Sequence, residues 1–168
     1  MAIILTYEPD KSVSFGDTML LWGANREQVR TLLNDKFDID DNVADLSQYN
    51  NGDTSQNIIQ RRDIYKNYKR QDSFFFLNFD TNDQLTEVEL HYGLDIKIKD
   101  VSIDFSMDIE NAAKLLDSIS NQKEQLSEGE YFYKNLKLTI ASSGAMGGDG
   151  SELSYFYCSK DVSHLIEK

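Results

Sequence analysis

Apolar side chains recur at every second position over much of this chain, a rhythm that commits it to a largely β fold. Ile3, Leu5 and Tyr7 alternate, as do Val13 and Phe15, then Phe75, Leu77 and Phe79, then Val88, Leu90 and Tyr92, and finally Leu153, Tyr155 and Tyr157. Successive strand side chains point to opposite faces, so each run pairs an apolar face with a second one. Ser73 to Asp80 and Leu85 to Tyr92 flank the turn formers Thr81-Asn-Asp-Gln84, which predicts a hairpin. A third run after Gly93 extends that expectation to a meander over residues 73–105. Within it Leu94, Ile96 and Ile98 fall on even positions, whereas Val101, Ile103 and Phe105 fall on odd ones. The phase change at Lys99-Asp100 predicts a bulge, or a bend that lets one long strand serve two sheets or two halves of a curved one.

Two helices are predicted within this pattern. The first starts after Gly23 with Asn25 as N-cap, Gln28 as capping-box partner and Val29, Leu32 and Leu33 as its apolar stripe, and it runs to about Asn34. The second starts at Asp108 and places Ile109, Ala112, Ala113, Leu116 and Ile119 at helical spacing, fading near Ser120. The expected class is therefore α+β: mainly antiparallel sheet, curved or in two layers, with two short principal helices. Asp35 to Gln60, rich in Asp, Asn, Ser and Gln with scattered Val43, Leu46 and Tyr49, reads as an ordered excursion or a short helix. Long connections of this kind are often functional. An echo in element order links Val13-Ser-Phe15, helix, Tyr65-Lys-Asn67 and paired strands to Val101-Ser-Ile103, helix, Tyr133-Lys-Asn135 and paired strands. It suggests two strand-helix-strand-strand halves meeting near 99–100, although the offset has no fixed period.

The chain has 168 residues, one proline and no linker-like stretch, so one α+β domain over 1–168 is expected. Its 40% hydrophobic and 11% aromatic content is too apolar for disorder. With 29 acidic and 17 basic residues the net charge is -12, which opposes direct binding of nucleic acid or an anionic membrane and suits a basic partner. A single cysteine, Cys158, offers no internal disulfide, and Met1 to Asp10 has neither a basic segment nor an apolar run of signal length. A cytoplasmic protein is expected.

Candidate chemistry is sparse. Two histidines, His91 and His164, and one cysteine show no CxxC or HExxH spacing, so no metal or other cofactor is expected. Asp38-Ile-Asp40-Asp41-Asn42-Val43 offers oxygens at calcium-loop positions, but Val43 stands where glycine is needed and Tyr49 where glutamate is needed. Cys158 shares a strand face with Phe156 and reads as a small buried hydrophobe, with His164 six residues on. His91 lies on the face of Glu87 and Glu89, opposite Val88, Leu90 and Tyr92; a polar outer face explains that grouping more simply than acid–base catalysis does. Gly144-Ala-Met-Gly-Gly-Asp-Gly150 lacks a basic residue and reads as a hairpin loop rather than a phosphate cradle. The basic run Arg61, Arg62, Lys66, Lys69 and Arg70, interleaved with Tyr65 and Tyr68, is expected to pair with the acidic segment Asp35 to Asp53 or to cover a sheet edge. Rings fall on both faces in Phe74-Phe-Phe76, Tyr131-Phe-Tyr133 and Tyr155-Phe-Tyr157, so these strands are either buried between layers or present rings outward, as an interface would favour.

Val13-Ser-Phe-Gly-Asp17, the helix opening Trp22-Gly-Ala-Asn-Arg-Glu-Gln-Val-Arg-Thr-Leu-Leu33 and the aromatic meander that follows resemble the immunity proteins of bacterial contact-dependent growth inhibition systems and of related Neisserial secreted toxins. The resemblance covers most of the chain through element order and a loose Gly-x-Asn-Arg-Glu-x-Val-Arg pattern. It implies a cytoplasmic inhibitor of a cognate toxin domain, commonly a nuclease, and some such inhibitors accept a toxin hairpin into their own sheet. Charge and alternation independently nominate Asp38, Asp40, Asp41, Asp45, Glu87 and Glu89 as electrostatic contacts and Tyr49 and Tyr92 as aromatic anchors. The competing readings are a small enzyme or ligand-binding domain with an aromatic pocket using His91 or Cys158, and a self-pairing subunit; a monomer or weak homodimer is expected.

Overall fold

The computed structural model describes residues 2–161, so His164 lies outside the described residues. The chain is α+β, with fourteen mostly antiparallel strands in two sheets and two helices among the described residues. β1 (Ile4–Glu8), β2 (Ser12–Phe15) and β3 (Thr18–Leu21) open the smaller sheet as a meander whose Leu5, Tyr7, Val13, Phe15 and Leu20 point into the core. β9 (Asp95–Ile98) and β10 (Val101–Ile103) complete it in the order β10-β9-β1-β2-β3, with β9 parallel to β1.

The larger sheet runs β11 (Lys123–Ser127), β12 (Glu130–Tyr133), β13 (Leu138–Ser142), β14 (Leu153–Ser159), β8 (Leu85–Tyr92), β7 (Phe74–Phe79), β6 (Ile58–Lys66) and β4 (Asp38–Ile39). β5 (Asn42–Ala44) also pairs with β6. The predicted β7–β8 hairpin is present, and the glycine-rich segment connects β13 to β14. One hydrophobic cluster draws on both sheets and both helices, from Leu5 and Val13 through Val29 and Leu116 to Phe75, Leu90 and Phe156. Cys158 belongs to it, opposite Val88 and Leu138, and burial pushes its thiol pKa up.

Two sequence expectations are corrected. The third run does not extend the β7–β8 meander; the chain turns at Gly93 and crosses to the smaller sheet. Gly93 has φ 95°, and a Cβ there would lie 2.1 Å from the Asp72 carbonyl oxygen, so this tight crossing requires glycine. The phase change at Lys99-Asp100 is neither a bulge nor a bend in one long strand but a two-residue hairpin turn, with Lys99 at φ 52°. Ile98 and Val101 become direct partners, and partners share a face, so a two-residue turn shifts parity while Ile96, Ile98, Val101 and Ile103 all stay buried.

Both helices begin where their caps predict. Asn25 precedes α1 (Arg26–Leu33) and accepts from the Glu27 amide at 3.0 Å; Asp108 precedes α2 (Ile109–Asp117) and accepts from the Glu110 amide at 2.9 Å. α1 ends at Asn34, which takes the left-handed conformation, and buries Val29 and Leu33 but leaves Leu32 exposed. α2 buries Ile109, Ala112, Ala113 and Leu116. Among the described residues, no helix is long and apolar enough to cross a membrane.

Candidate partner-binding face and its projecting hairpin

The Asp35–Gln60 excursion is ordered as one arm of a long hairpin. Residues 38–44 run antiparallel to 58–64 in a single register, Asp38 opposite Ile64 and Ile39 opposite Asp63, then Asn42 opposite Gln60 and Ala44 opposite Ile58. Because β6 pairs with β7 only from Arg61 onward, the part of the hairpin beyond that residue projects past the sheet. Polar local bonds order its tip: Asp45 accepts from the Ser47 amide at 2.9 Å, Asn57 from the Leu46 amide at 2.8 Å and Asp53 from the Ser55 amide at 2.8 Å. Apolar side chains stand in the open, since Ile39, Val43, Ile58 and Ile59 are at least half exposed and Tyr49, on a 3-10 turn, is 77% exposed. Residues 37–60 carry five aspartates and no lysine or arginine.

Those aspartates have different fates. Asp41 turns toward α1, where its two oxygens accept from Arg26 Nη1 and Nη2 at 2.9 and 2.8 Å. Arg26 in turn donates to fully buried Asp63 through Nη2 at 2.7 Å and Nε at 3.1 Å, and Arg30 grips Asp63 through Nε and Nη2, both at 2.8 Å. Burial works against the Arg26 charge, but its hydrogen bonds to Asp41 and Asp63 outweigh burial and hold the guanidinium pKa above its ordinary value. Hydrogen bonds from Arg26 hold the Asp41 carboxyl below the usual carboxylate range. Asp40 contacts Arg62 at 3.7 Å and accepts from the Gln60 side chain at 3.1 Å. Asp38, Asp45 and Asp53 have no cationic partner among the described residues. Arg26, Arg30 and Asp63 escaped the sequence reading; the available signal was that Asp63 shares the strand parity of buried Tyr65 and that Arg26 and Arg30 are one helical turn apart.

Arg61 and Arg62 of the basic run reach the acidic segment Asp35 to Asp53 only at 3.9 Å (Asp41) and 3.7 Å (Asp40), and their closer partners lie outside it. Arg61 meets Asp83 at 2.5 Å, and Arg62 meets Glu89 at 3.2 Å while its guanidinium lies 4.5 Å over the Phe76 ring. Along the outer face of the large sheet, cross-strand partners line up as Asp38, Ile64, Phe76, Glu89, Tyr157 and Thr139. Glu89 accepts from Tyr155 at 2.7 Å and from Asn78 at 2.9 Å, and Glu87 accepts from the Tyr157 hydroxyl. The two glutamates nominated as partner contacts are thus engaged within the sheet.

A register shift between β7 and β8 sets Tyr92 opposite Phe74 and Leu90 opposite Phe75, leaving His91 as the extra residue. Strict alternation put Tyr92 with Val88 and Leu90; the shift instead carries it out of the core, 44% exposed and 5.9 Å from the Phe74 ring. His91 wedges among Phe74, Phe76 and Tyr155, and burial lowers its pKa. No hydrogen bond among the described residues joins it to Glu87 or Glu89. No group of three or more His, Cys, Asp or Glu among the described residues is arranged to hold a metal ion.

The nominated residues therefore divide. Asp45 and Tyr49 lie at the projecting tip, Asp38 and Asp40 near the hairpin base, Asp41 in the hairpin but bonded to Arg26 of α1, and Glu87, Glu89 and Tyr92 on or beside the sheet face. The chain matches no protein-family model, no curated protein and no solved structure.

Proposed function

We propose that this chain is a cytoplasmic immunity protein that binds a cognate bacterial toxin domain, a basic nuclease, and neutralises it stoichiometrically rather than by catalysis. The observation that carries the reading is the projecting hairpin: aliphatic side chains and Tyr49 in the open, beside Asp38, Asp45 and Asp53 that have no cationic partner among the described residues. Exposed apolar clusters mark protein contacts, tyrosine is a frequent anchor at their centre, and carboxylates around them steer a basic partner. A net charge of -12 adds long-range attraction to a surface built for phosphates.

Co-expression with the product of the gene immediately upstream tests the reading directly. A one-to-one complex together with rescue of the cells is expected, and the absence of both would defeat the reading. Tyr49→Ala is expected to weaken that complex by about 2 kcal/mol, the scale of an interface hot spot. Reversing Asp38, Asp45 and Asp53 to lysine is expected mainly to slow association and to flatten its dependence on salt.

A further inference from the structure

We infer that Asp41 and Arg26 are positioning residues for the projecting hairpin: the Asp41 carboxylate clamps it to α1 and fixes the direction in which Val43, Tyr49 and Ile59 are presented. This inference rests on the hairpin being the partner-binding element. The ladder between residues 38–44 and 58–64 keeps one register, and between β4 and β5 the Asp40 amide still donates to the Arg62 carbonyl at 2.9 Å. There the Arg62 amide donates to Asp41 Oδ1 at 3.0 Å, and the Asp40 carbonyl accepts from the Gln60 side chain at 3.2 Å. Asp41 has the strand parity of Ile39 and Asp63, so its carboxylate lies on the α1 side of the ribbon.

The clamp closes on a fixed anchor. Arg26 is 4% exposed, held from within by Asp63, bonded through Nη2 to the Arg62 carbonyl at 3.1 Å and packed 5.1 Å over the Phe79 ring. Arg30 holds the same Asp63, while Arg61 approaches Asp41 at 3.9 Å and Asp83 approaches Arg26 at 3.7 Å. Asp41, with about a third of its side chain exposed, is the closing group of this chain of contacts. Past it, the ladder bonds of Asn42, Val43 and Ala44 are made within the ribbon itself. A guanidinium–carboxylate pair with two parallel bonds sets direction as well as distance, which a two-stranded ribbon lacks by itself.

Amide hydrogen exchange on the whole free protein tests the clamp. Asp41→Asn is expected to raise exchange at residues 42–44 and 58–60 by roughly 10- to 100-fold, the loss set by charge-assisted bonds, with Leu77, Val88 and Phe156 unchanged. Arg26→Lys, which keeps the charge but not the two-pronged geometry, should reproduce the local increase, and Asp41→Glu should recover part of the protection. Asp45→Asn should affect only the tip. Unchanged hairpin rates in Asp41→Asn overturn the inference, as does an equal rise in the core strands, which would make Asp41 a general support of the fold. The measurement needs no toxin, so a missing complex would defeat the immunity reading and leave this result standing, and the reverse also holds.

Discussion

The two helices are joined to the large sheet by different chemistry. α1 reaches β6 through Arg26 and Arg30 on the buried Asp63 carboxylate. α2 reaches β12 through tyrosines: the Tyr133 hydroxyl donates to the Ala113 carbonyl at 3.0 Å, and Tyr131 donates to Glu110 at 2.5 Å. A phenol has one proton to give, which Tyr133 shares between the Ala113 carbonyl and Asp117 Oδ1 at 3.1 Å, both on α2, so this joint reaches no further than the helix, and β11 follows as the edge strand. A guanidinium has five, so after Asp63 has been satisfied Arg26 still has donors for Asp41 and the Arg62 carbonyl. The α1 side can carry a projecting hairpin because its joint has bonding capacity beyond what Asp63 takes.

The comparison breaks most readily at its ionic joint. Asp63→Ala would remove the buried carboxylate shared by two guanidinium groups, leaving Arg26 to Asp41 and Arg30 to Glu27, and a loss of about 3 kcal/mol is expected in urea unfolding. Tyr133→Phe removes one hydroxyl and should cost about 1 kcal/mol; a loss matching that of Asp63→Ala would show that the two joints are not different in kind. The caps sharpen the contrast by being alike. Asn25→Ala and Asp108→Ala should each cost about 1 kcal/mol in thermal unfolding, so any asymmetry between the helices belongs to their seats.

The smallest expected effects are local responses to pH, read as NMR peak intensities. The carboxyl of Asp41, facing Arg26, Arg61 and Arg62 with Asp40, Asp63 and Asp83 nearby, is held below its ordinary pKa. The stability it contributes is therefore present above the unfolded value of about 3.9 and lost as pH falls through the folded one. Tyr131 is pushed up to about 12, first by its hydrogen bond to Glu110. Its contribution is present below about 10 and lost as pH rises through the folded value. Acid should thus loosen the hairpin as Asp41 is protonated, and alkali the α2 joint before the hairpin, whose anchor is a guanidinium; alkali acting first on the hairpin would contradict the assignment of the two joints.

What was legible in the sequence was what depends on neighbours along the chain. Alternation located β7 and β8, and Asn25 and Asp108 marked the helix starts, because faces and caps are local properties. Opposite charge in adjacent segments pointed Arg61 and Arg62 to Asp41 and Asp40, which they meet at 3.9 and 3.7 Å, but not to their closer partners, Asp83 in the turn before β8 and Glu89 on β8. Tyr92 was misplaced because a bulge is a property of two strands in register, which one strand's pattern does not encode. Hydrophobic periodicity also has no symbol for a buried ion: Asp63 meets Arg26 across 37 residues, and Glu89 meets Tyr155 across 66. The carboxylates therefore looked equally available in the sequence, whereas the fold engages Asp41, Glu87 and Glu89 with partners in the protein and leaves Asp38 and Asp45 without a cationic partner among the described residues.

The single register of residues 38–44 against 58–64 also bears on how such a protein can diversify. Residues 45–57 lie outside that ladder and are ordered only by their own polar bonds. Doubling the length of a closed loop costs only about 0.6 kcal/mol, so insertions and deletions here should barely move the melting transition of a grafted variant. Recognition can therefore be rewritten at the tip by mutation and recombination while the folding instructions, held in the strands beneath, are inherited intact.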